Sequence, residues 1–216
     1  MIKKLIHTFL NFLFPQRCVG CGAENKIICD ECLTKIDYSN GAPRPYIFAA
    51  SAYHDAYVKK TIWLLKYRGV RGAAEPLAKL IYERVGEARL PIGSRASKPN
   101  WVIIPIPLSK KRLKERGFNQ SELIGKHLSV RMSVRMKTNV LYKKFHTESQ
   151  VSVKDRNERL KNLKGSFGVK NPELIKNTNI ILLDDVATTG ATISEARKVL
   201  REAGAKKIIG AVAASG

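Results

Sequence analysis

Continuous runs of apolar residues restrict what this chain can fold into more than any other feature. Three such runs occur, within WVIIPIP (101–107), NIILLDD (179–185) and KKIIGAVAA (206–214). A continuous run, as opposed to an alternating one, is typical of a strand that is buried on both faces of a parallel sheet. Helical spacing of apolar residues lies between the runs, over 119–130 and 190–203. This alternation predicts an α/β fold with a mostly parallel sheet flanked by helices.

The composition is that of a globular chain with a strong positive charge. Hydrophobic residues make up 44% and charged residues 26% of the 216 residues, which excludes disordered and fibrous classes. Lys and Arg number 39 against 18 Asp and Glu, so the formal net charge is +21. The stretch 108–170 alone holds seventeen basic and five acidic residues. Such a field attracts polyanions, and nucleic acids, nucleotides and acidic membrane surfaces remain as alternatives.

All four cysteines lie within fifteen residues, as CVGC, seven residues and CDEC. Two CxxC pairs are typical of a tetrahedral zinc site, whose ligands here would be Cys18, Cys21, Cys29 and Cys32. Disulfides and an iron–sulfur cluster are the alternatives. Four thiolate ligands leave no open coordination position, so we expect a structural zinc knuckle. Bound zinc also suits a reducing compartment, and we expect the protein in the cytoplasm.

The first seventeen residues have the pattern of a short amphipathic helix. Its apolar positions fall on one face, at Ile2, Leu5, Ile6, Phe9 and Leu13. No small-residue cleavage site follows, and no run of about eighteen apolar residues occurs, so we expect neither a signal peptide nor a membrane span. Packing against the body of the protein and peripheral contact with a membrane or partner are the alternatives. A turn-rich linker at 39–46 predicts two domains, 1–40 and 41–216.

The segment IILLDDVATTGAT (180–192) places two carboxylates and a hydroxyl-rich turn at the end of a strand. Ligands of open α/β sheets bind beyond the carboxyl ends of the strands. Small residues let backbone N–H groups converge on a phosphate at the start of the following helix. The carboxylates of Asp184 and Asp185 suit hydrogen bonds from vicinal hydroxyls. A sugar with a 5′-phosphate and free 2′ and 3′ hydroxyls presents both features.

These thirteen residues resemble the phosphoribosyl pyrophosphate (PRPP) loop of type I phosphoribosyltransferases. Three further blocks are LLKYRG (64–69), PIPLSKKRLKERGFNQS (105–121) and TESQVSVKDRNERLKNLKGSF (147–167). Their order after a four-cysteine knuckle is similar to that of the ComF family of competence and GntX-type proteins, and the resemblance covers nearly the whole chain. It implies a type I phosphoribosyltransferase-like domain behind a small N-terminal four-cysteine zinc knuckle.

The resemblance also implies roles for individual residues. The PRPP-binding residues would be Asp184, Asp185, Ala187, Thr188, Thr189, Gly190 and Thr192. The pyrophosphate loop would be Pro107, Leu108, Ser109 and Lys110, with Mg²⁺ held through the pyrophosphate and water. Lys154 and Arg156, in a long polar loop over 143–166, are the candidates for contact with departing pyrophosphate. The basic surplus adds single-stranded DNA as a partner, with Lys110, Lys111, Arg112, Lys114 and Arg116 as candidate contacts.

Three functions remain open from the sequence. The first is a ComF-type competence protein that binds PRPP or a related phosphoribose and handles single-stranded DNA in natural transformation. The second is an active phosphoribosyltransferase on an unidentified acceptor. The third is a non-catalytic interaction module that docks a helicase-like competence protein. Fold alone does not choose among them.

Overall fold

The structure, a computed structural model, describes residues 16–37, 44–85, 100–144 and 165–216. Within these ranges, five strands form one sheet in the order β1-β7-β6-β2-β3, and every neighbouring pair is parallel. The strands are β1 (Ile47–Ala52), β2 (Trp101–Pro105), β3 (Arg135–Met136), β6 (Asn179–Ala187) and β7 (Lys207–Ser215). A separate antiparallel pair consists of β4 (Leu141–Lys143) and β5 (Phe167–Val169). The predicted mostly parallel sheet is confirmed.

Helices cover both faces of the sheet. They are α1 (Asp30–Thr34), α2 (Ala56–Tyr67), α3 (Ala74–Val85), α4 (Lys110–Arg116), α5 (Gln120–Met132) and α6 (Ala191–Glu202), with short 3₁₀ turns at Arg71–Ala73 and Pro172–Leu174. Ile181 and Leu183 of β6 pack with α2, α3 and α5, whereas Ile180 and Leu182 pack with α6. Alternate side chains of a strand point to opposite faces, so covering both faces requires a continuously apolar strand.

The strand order reverses between β2 and β6. From β2 the chain crosses through α4 and α5 to β3 on one side. From β6 it crosses through α6, on the other face, to β7 on the opposite side. Pro105 of β2 lies opposite Leu183 of β6, and β6 continues for four residues, through Asp184 and Asp185, beyond the end of β2. A crevice at such a switch point is where open α/β sheets bind ligands.

The four-cysteine segment packs onto α3. Cys18, Cys32 and Leu33 belong to the same buried cluster as the apolar faces of α2 and α3. The buried Arg84 guanidinium donates hydrogen bonds to the carbonyl oxygens of Leu33, at 3.4 Å, and Ile36, at 2.9 Å. The knuckle therefore shares its hydrophobic core with the rest of the fold. The predicted domain boundary at 40/41 falls in 38–43, outside the described residues.

Several elements differ from the sequence-based expectations. Helix α4 occupies the basic run, where no helix was predicted; it begins after Ser109, whose Oγ accepts from the Arg112 N–H at 3.4 Å. Strand β5, the partner of β4, was not predicted, because three residues are too short to show a period. The expected N-terminal helix and most of the expected polar loop fall in 1–15 and 145–164, outside the described residues.

No helix of the described ranges is long and apolar enough to cross a membrane.

Helix α5 packs closely against the sheet at Gly125. A Cβ atom there would lie 2.7 Å from Met136 Sδ and 3.2 Å from Leu183 Cδ2. We expect Gly125→Val to lower the free energy of unfolding by about 1–3 kcal/mol, because overpacking forces neighbours out of their preferred rotamers. Urea denaturation measures the effect. Lys126→Val, at an exposed position one residue along, is the control and should change stability by less than about 0.5 kcal/mol. Equal effects of the two variants would contradict close packing at Gly125.

Candidate functional site

Two buried carboxylates lie near the carboxyl end of β6. Ser121 Oγ, on α5, donates to Asp184 Oδ1 at 2.9 Å, and the Asp185 backbone N–H donates to the same oxygen at 2.9 Å. Lys66 Nζ, on α2, lies 2.5 Å from Asp185 Oδ2, and the Val186 N–H donates to Asp185 Oδ1 at 2.9 Å. The acid pair therefore brings α2, α5 and β6 together at one point.

The electrostatics of this cluster keep one positive charge beside the acids. Burial, followed by repulsion from Asp185, raises the pKa of Asp184 to about 7. Burial alone would lower the pKa of Lys66, but the attraction of Asp185 and Asp184 outweighs it, and the pKa of Lys66 is raised. Lys66 is thus protonated at neutral pH and offsets the charge of Asp185. The sequence shows Lys66 within LLKYRG but assigns it no role, since only the fold brings α2 to the acid pair.

The hydroxyl-rich turn follows the acid pair directly. Thr188 is exposed and Thr189 half-buried, and Gly190 has a left-handed φ of 71°, which a larger residue adopts only with strain. The twelve-residue helix α6 begins at Ala191, whose N–H donates to Thr189 Oγ1 at 3.3 Å. The turn and its half-buried Thr192 therefore lie at the positive end of a helix dipole, where an anion is stabilised.

The predicted pyrophosphate loop lies beside the acid pair. The Ile106 N–H donates to the carbonyl oxygen of Leu183 at 2.9 Å, which holds the turn after β2 against β6. Asn119 Nδ2 donates to the Ile106 carbonyl oxygen at 3.0 Å, and Asn119 Oδ1 accepts from the Ser121 N–H at 3.0 Å. The RGFNQ block thus positions this turn relative to α5. Of the loop residues, Pro107 and Leu108 are half-buried, Ser109 is buried and Lys110 is exposed.

Lys143 is a second cation at the site that sequence reasoning missed. It lies on β4, half-buried, with its Nζ 5.7 Å from the centroid of the Phe167 ring. Burial and then repulsion from Arg112 lower the pKa of Lys143, and attraction to Asp184 opposes them. The charges of Arg112 on α4 and of Asp184 in the acid pair therefore both act on Lys143. Nothing in the sequence marks this role, because the groups that act on Lys143 come from distant segments.

The structure places the remaining predicted residues as follows. Lys110, Lys111 and Lys114 are exposed on α4, whereas Arg112 and Arg116 are half-buried. Arg116 donates to Gln120 Oε1 at 2.9 Å. Lys154 and Arg156 lie outside the described residues.

The four cysteines are free thiols in a compact cluster that fits a metal ion. All four Sγ atoms lie within 4.8 Å of one another, and Cys21 Sγ is 3.6 Å from Cys29 Sγ. A tetrahedral ion with ~2.3 Å metal–sulfur bonds requires about 3.8 Å between sulfurs. Burial opposes ionisation of Cys18, but N–H groups of Cys21, Cys29 and Gly20 lower its pKa to about 6. Burial is the main cause that raises the pKa of Cys32 to about 12.

The raised pKa of Asp184 predicts a pH dependence of stability. Its folded-state value of about 7 exceeds that of an unfolded aspartate, so this group stabilises the fold below about pH 4, and that contribution is lost as the pH rises through about 7. Asparagine does not titrate. We therefore expect the free energy of unfolding of Asp184→Asn, measured in urea, to rise by about 1–2 kcal/mol relative to that of the wild type between about pH 5 and about pH 8. Asp37→Asn, at an exposed site, is the control, because it makes the same change in formal charge without removing a buried carboxyl. A constant difference between Asp184→Asn and wild type would contradict the buried carboxyl.

Comparison with known proteins agrees with this geometry. Residues 119–216 match the phosphoribosyl transferase domain family, a region that includes Ser121, the acid pair and the hydroxyl-rich turn. The chain is 35% identical over 134 residues to competence protein F of Haemophilus influenzae, covering 61% of this chain and 56% of that protein. It is 41% identical over 105 residues to competence protein ComFC of Bacillus subtilis, covering 49% and 40%. The chain thus spans about half the length of these two relatives.

A third relative aligns over more of its length. The chain is 27% identical over 195 residues to the DNA utilization protein YhgH of Escherichia coli K12, covering 88% of this chain and 80% of that protein. Among solved structures, the chain is similar to glutamine PRPP amidotransferase from B. subtilis, with a TM-score of 0.41 at 13% identity over 65% of this chain and 26% of the other. A phosphoribosyl transferase domain behind a four-cysteine cluster, together with relatives that are named competence and DNA utilization proteins, supports the resemblance to the ComF family.

Proposed function

We propose that the chain binds PRPP or a related 5-phosphoribosyl compound in the crevice between β2 and β6 and takes part in handling single-stranded DNA during natural transformation. The observation that carries the phosphoribose site is the buried acid pair Asp184–Asp185 at the switch point of the sheet. A hydroxyl-rich turn at the start of α6 follows it within a few residues. This juxtaposition matches a ribose with free hydroxyls and a 5′-phosphate.

Each part of such a ligand has a partner of suitable chemistry. The carboxylates of Asp184 and Asp185 accept hydrogen bonds from the ribose 2′ and 3′ hydroxyls, and Lys66 offsets their repulsion of phosphate. The turn Thr188–Gly190, with Thr192, binds the 5′-phosphate through N–H and hydroxyl groups. The turn 107–110 and Lys143 face the pyrophosphate, and Mg²⁺ is held largely by the pyrophosphate and water.

The DNA role is supported by charge and by the names of the relatives. The net charge of +21 attracts a polyanion, and exposed lysines of α4 are available to bind phosphates. Two relatives are called competence proteins and one a DNA utilization protein. We propose the same setting for this chain, in the cytoplasm, where a thiolate–metal site is stable.

Calorimetric titration with PRPP in the presence of Mg²⁺ tests the phosphoribose site. We expect binding by the wild type and at least about tenfold weaker binding by an Asp184→Asn, Asp185→Asn variant, because the hydroxyl acceptors are weakened. Asp37→Asn removes an exposed carboxylate elsewhere and should bind as the wild type does. Inorganic pyrophosphate serves as a second ligand, and weaker binding of it than of PRPP shows that the ribose is recognised.

Two outcomes would overturn the site. One is the absence of PRPP binding by folded, metal-loaded protein, which would favour a non-catalytic interaction module. The other is equal binding of PRPP and pyrophosphate, which would indicate only anion attraction. Release of pyrophosphate with any member of an acceptor panel would establish the transferase alternative on the same site.

We further propose that the metal of the cysteine cluster is structural zinc, because four thiolates in tetrahedral reach suit it and leave no open position. We expect Cys29→Ser to reduce zinc content measured by elemental analysis and to lower the melting temperature, because a thiolate ligand is lost while serine can still cap α1 as Cys29 does. Lys35→Ala, at an exposed position after α1, is the control and should retain zinc. Unchanged zinc content in Cys29→Ser would refute the ligand set.

A further inference from the structure

Two large aromatic side chains are exposed on one helix, away from the buried core. Trp63 and Tyr67 lie one turn apart on α2, with exposed fractions of 46% and 66%. The core-facing positions of the same helix are Val58, Thr61, Ile62 and Leu65. Residues four apart on a helix are neighbours, so the two rings lie side by side on its solvent face. Exposing two such rings forgoes the hydrophobic stabilisation that their burial would provide.

Arginine side chains accompany these rings. The Arg68 guanidinium carbon lies 5.8 Å from the centroid of the Trp63 ring, and that of Arg116, from α4, lies 5.6 Å from Tyr67. Arg71 lies 5.2 Å from the ring of the neighbouring Phe118. Each distance is in the range of a cation–π contact. We call Trp63, Tyr67, Arg68 and Arg116 the aromatic–arginine surface.

The charge around this surface is mainly positive, although Glu115 of α4 and the acid pair lie nearby. Residues 59–72 contain five basic residues and no acidic residue. Helix α4, which supplies Arg116, adds exposed lysines on the neighbouring element. Rings interleaved with cations match a single-stranded nucleic acid, whose bases stack on rings while its phosphates contact cations. An acidic peptide would use the cations but would leave flat, exposed rings without a matching partner.

We propose that the aromatic–arginine surface binds single-stranded nucleic acid by stacking bases on Trp63 and Tyr67. This rests on the proposed DNA-handling function and names the surface that performs it. The surface adjoins the acid pair, because Tyr67 directly follows Lys66, and Lys66 pairs with Asp185. Arg116 also lies close enough to Lys66 for its positive charge to oppose the rise in the pKa of Lys66. Bound nucleic acid therefore runs past the mouth of the crevice.

The intrinsic fluorescence of tryptophan provides a direct measurement for this proposal. The chain has two tryptophans, of which Trp63 is exposed and Trp101 is buried in β2. We expect an unlabelled oligothymidylate to quench the fluorescence of Trp63, and Trp63→Phe to abolish the quenching while retaining a ring that stacks. Binding itself is measured in parallel by anisotropy of a labelled oligonucleotide, so that loss of the reporter and loss of affinity are separated.

Substitutions distinguish stacking from charge. We expect Trp63→Leu with Tyr67→Leu to weaken binding about tenfold or more, without changing the slope of log K against log salt. Trp63→Phe with Tyr67→Phe keeps both rings and should retain affinity within about threefold. Arg68→Gln with Arg116→Gln should flatten the salt slope by roughly 0.7 for each phosphate that is no longer neutralised. Thermal melts confirm that each variant is folded, which is expected because Trp63, Tyr67 and Arg68 are exposed and Arg116 is half-buried.

The outcomes separate this inference from the function on which it rests. Failure of the wild type to bind the oligonucleotide would overturn the DNA role and this surface together, while PRPP titration decides the phosphoribose site independently. Binding that survives in the Leu double variant would overturn only the stacking surface. Equal competition by a duplex of the same length would also overturn it, because paired bases offer no free faces. Oligouridylate of the same length shows whether DNA is preferred over RNA, and preference for either supports the surface.

Discussion

The buried charge cluster at the end of β6 is the interaction on which the rest of the site depends. Asp184 accepts a hydrogen bond from Ser121 of α5, and Asp185 forms an ion pair with Lys66 of α2. Two helices from distant parts of the chain therefore meet on one strand. Removing one partner of a buried pair leaves an uncompensated charge and costs about 3–5 kcal/mol. The cluster therefore fixes the relative positions of α2, α5 and the carboxyl end of β6.

The switch point of the sheet explains why the chemistry gathers at that crevice. The turn after β2, the acid pair of β6 and the start of α6 all lie at the carboxyl ends of neighbouring strands. The two crossover connections leave to opposite sides and on opposite faces, which is the arrangement at which open α/β sheets bind ligands. In our proposal the phosphoribose binds at this point, and the strand of nucleic acid follows the aromatic–arginine surface beside it.

The cysteine knuckle extends the same core. The apolar residues of the knuckle pack with α2 and α3, and Arg84 of α3 donates hydrogen bonds to backbone carbonyl oxygens of the knuckle segment. Since α2 also carries Lys66, Trp63 and Tyr67, we propose that a metal held by the four cysteines would support the packing behind both proposed binding surfaces. A structural metal can in this way affect ligand binding without touching any ligand.

The sequence by itself determined the parallel sheet, the cysteine cluster and the hydroxyl-rich turn. These features are local: a continuous apolar run, two CxxC pairs, and an acid pair before small residues each lie within a few consecutive positions. Only the tertiary structure decided which side chains share the crevice. Lys66 reaches Asp185 across 119 positions of the chain, and Lys143 approaches Arg112 and Asp184 from a strand too short to show a period. The pairing of Arg116 with Tyr67 likewise required two helices to meet. Charge and burial act through space. Contacts between segments that are distant in the sequence therefore produce no local sequence pattern, and they form only when the core has packed.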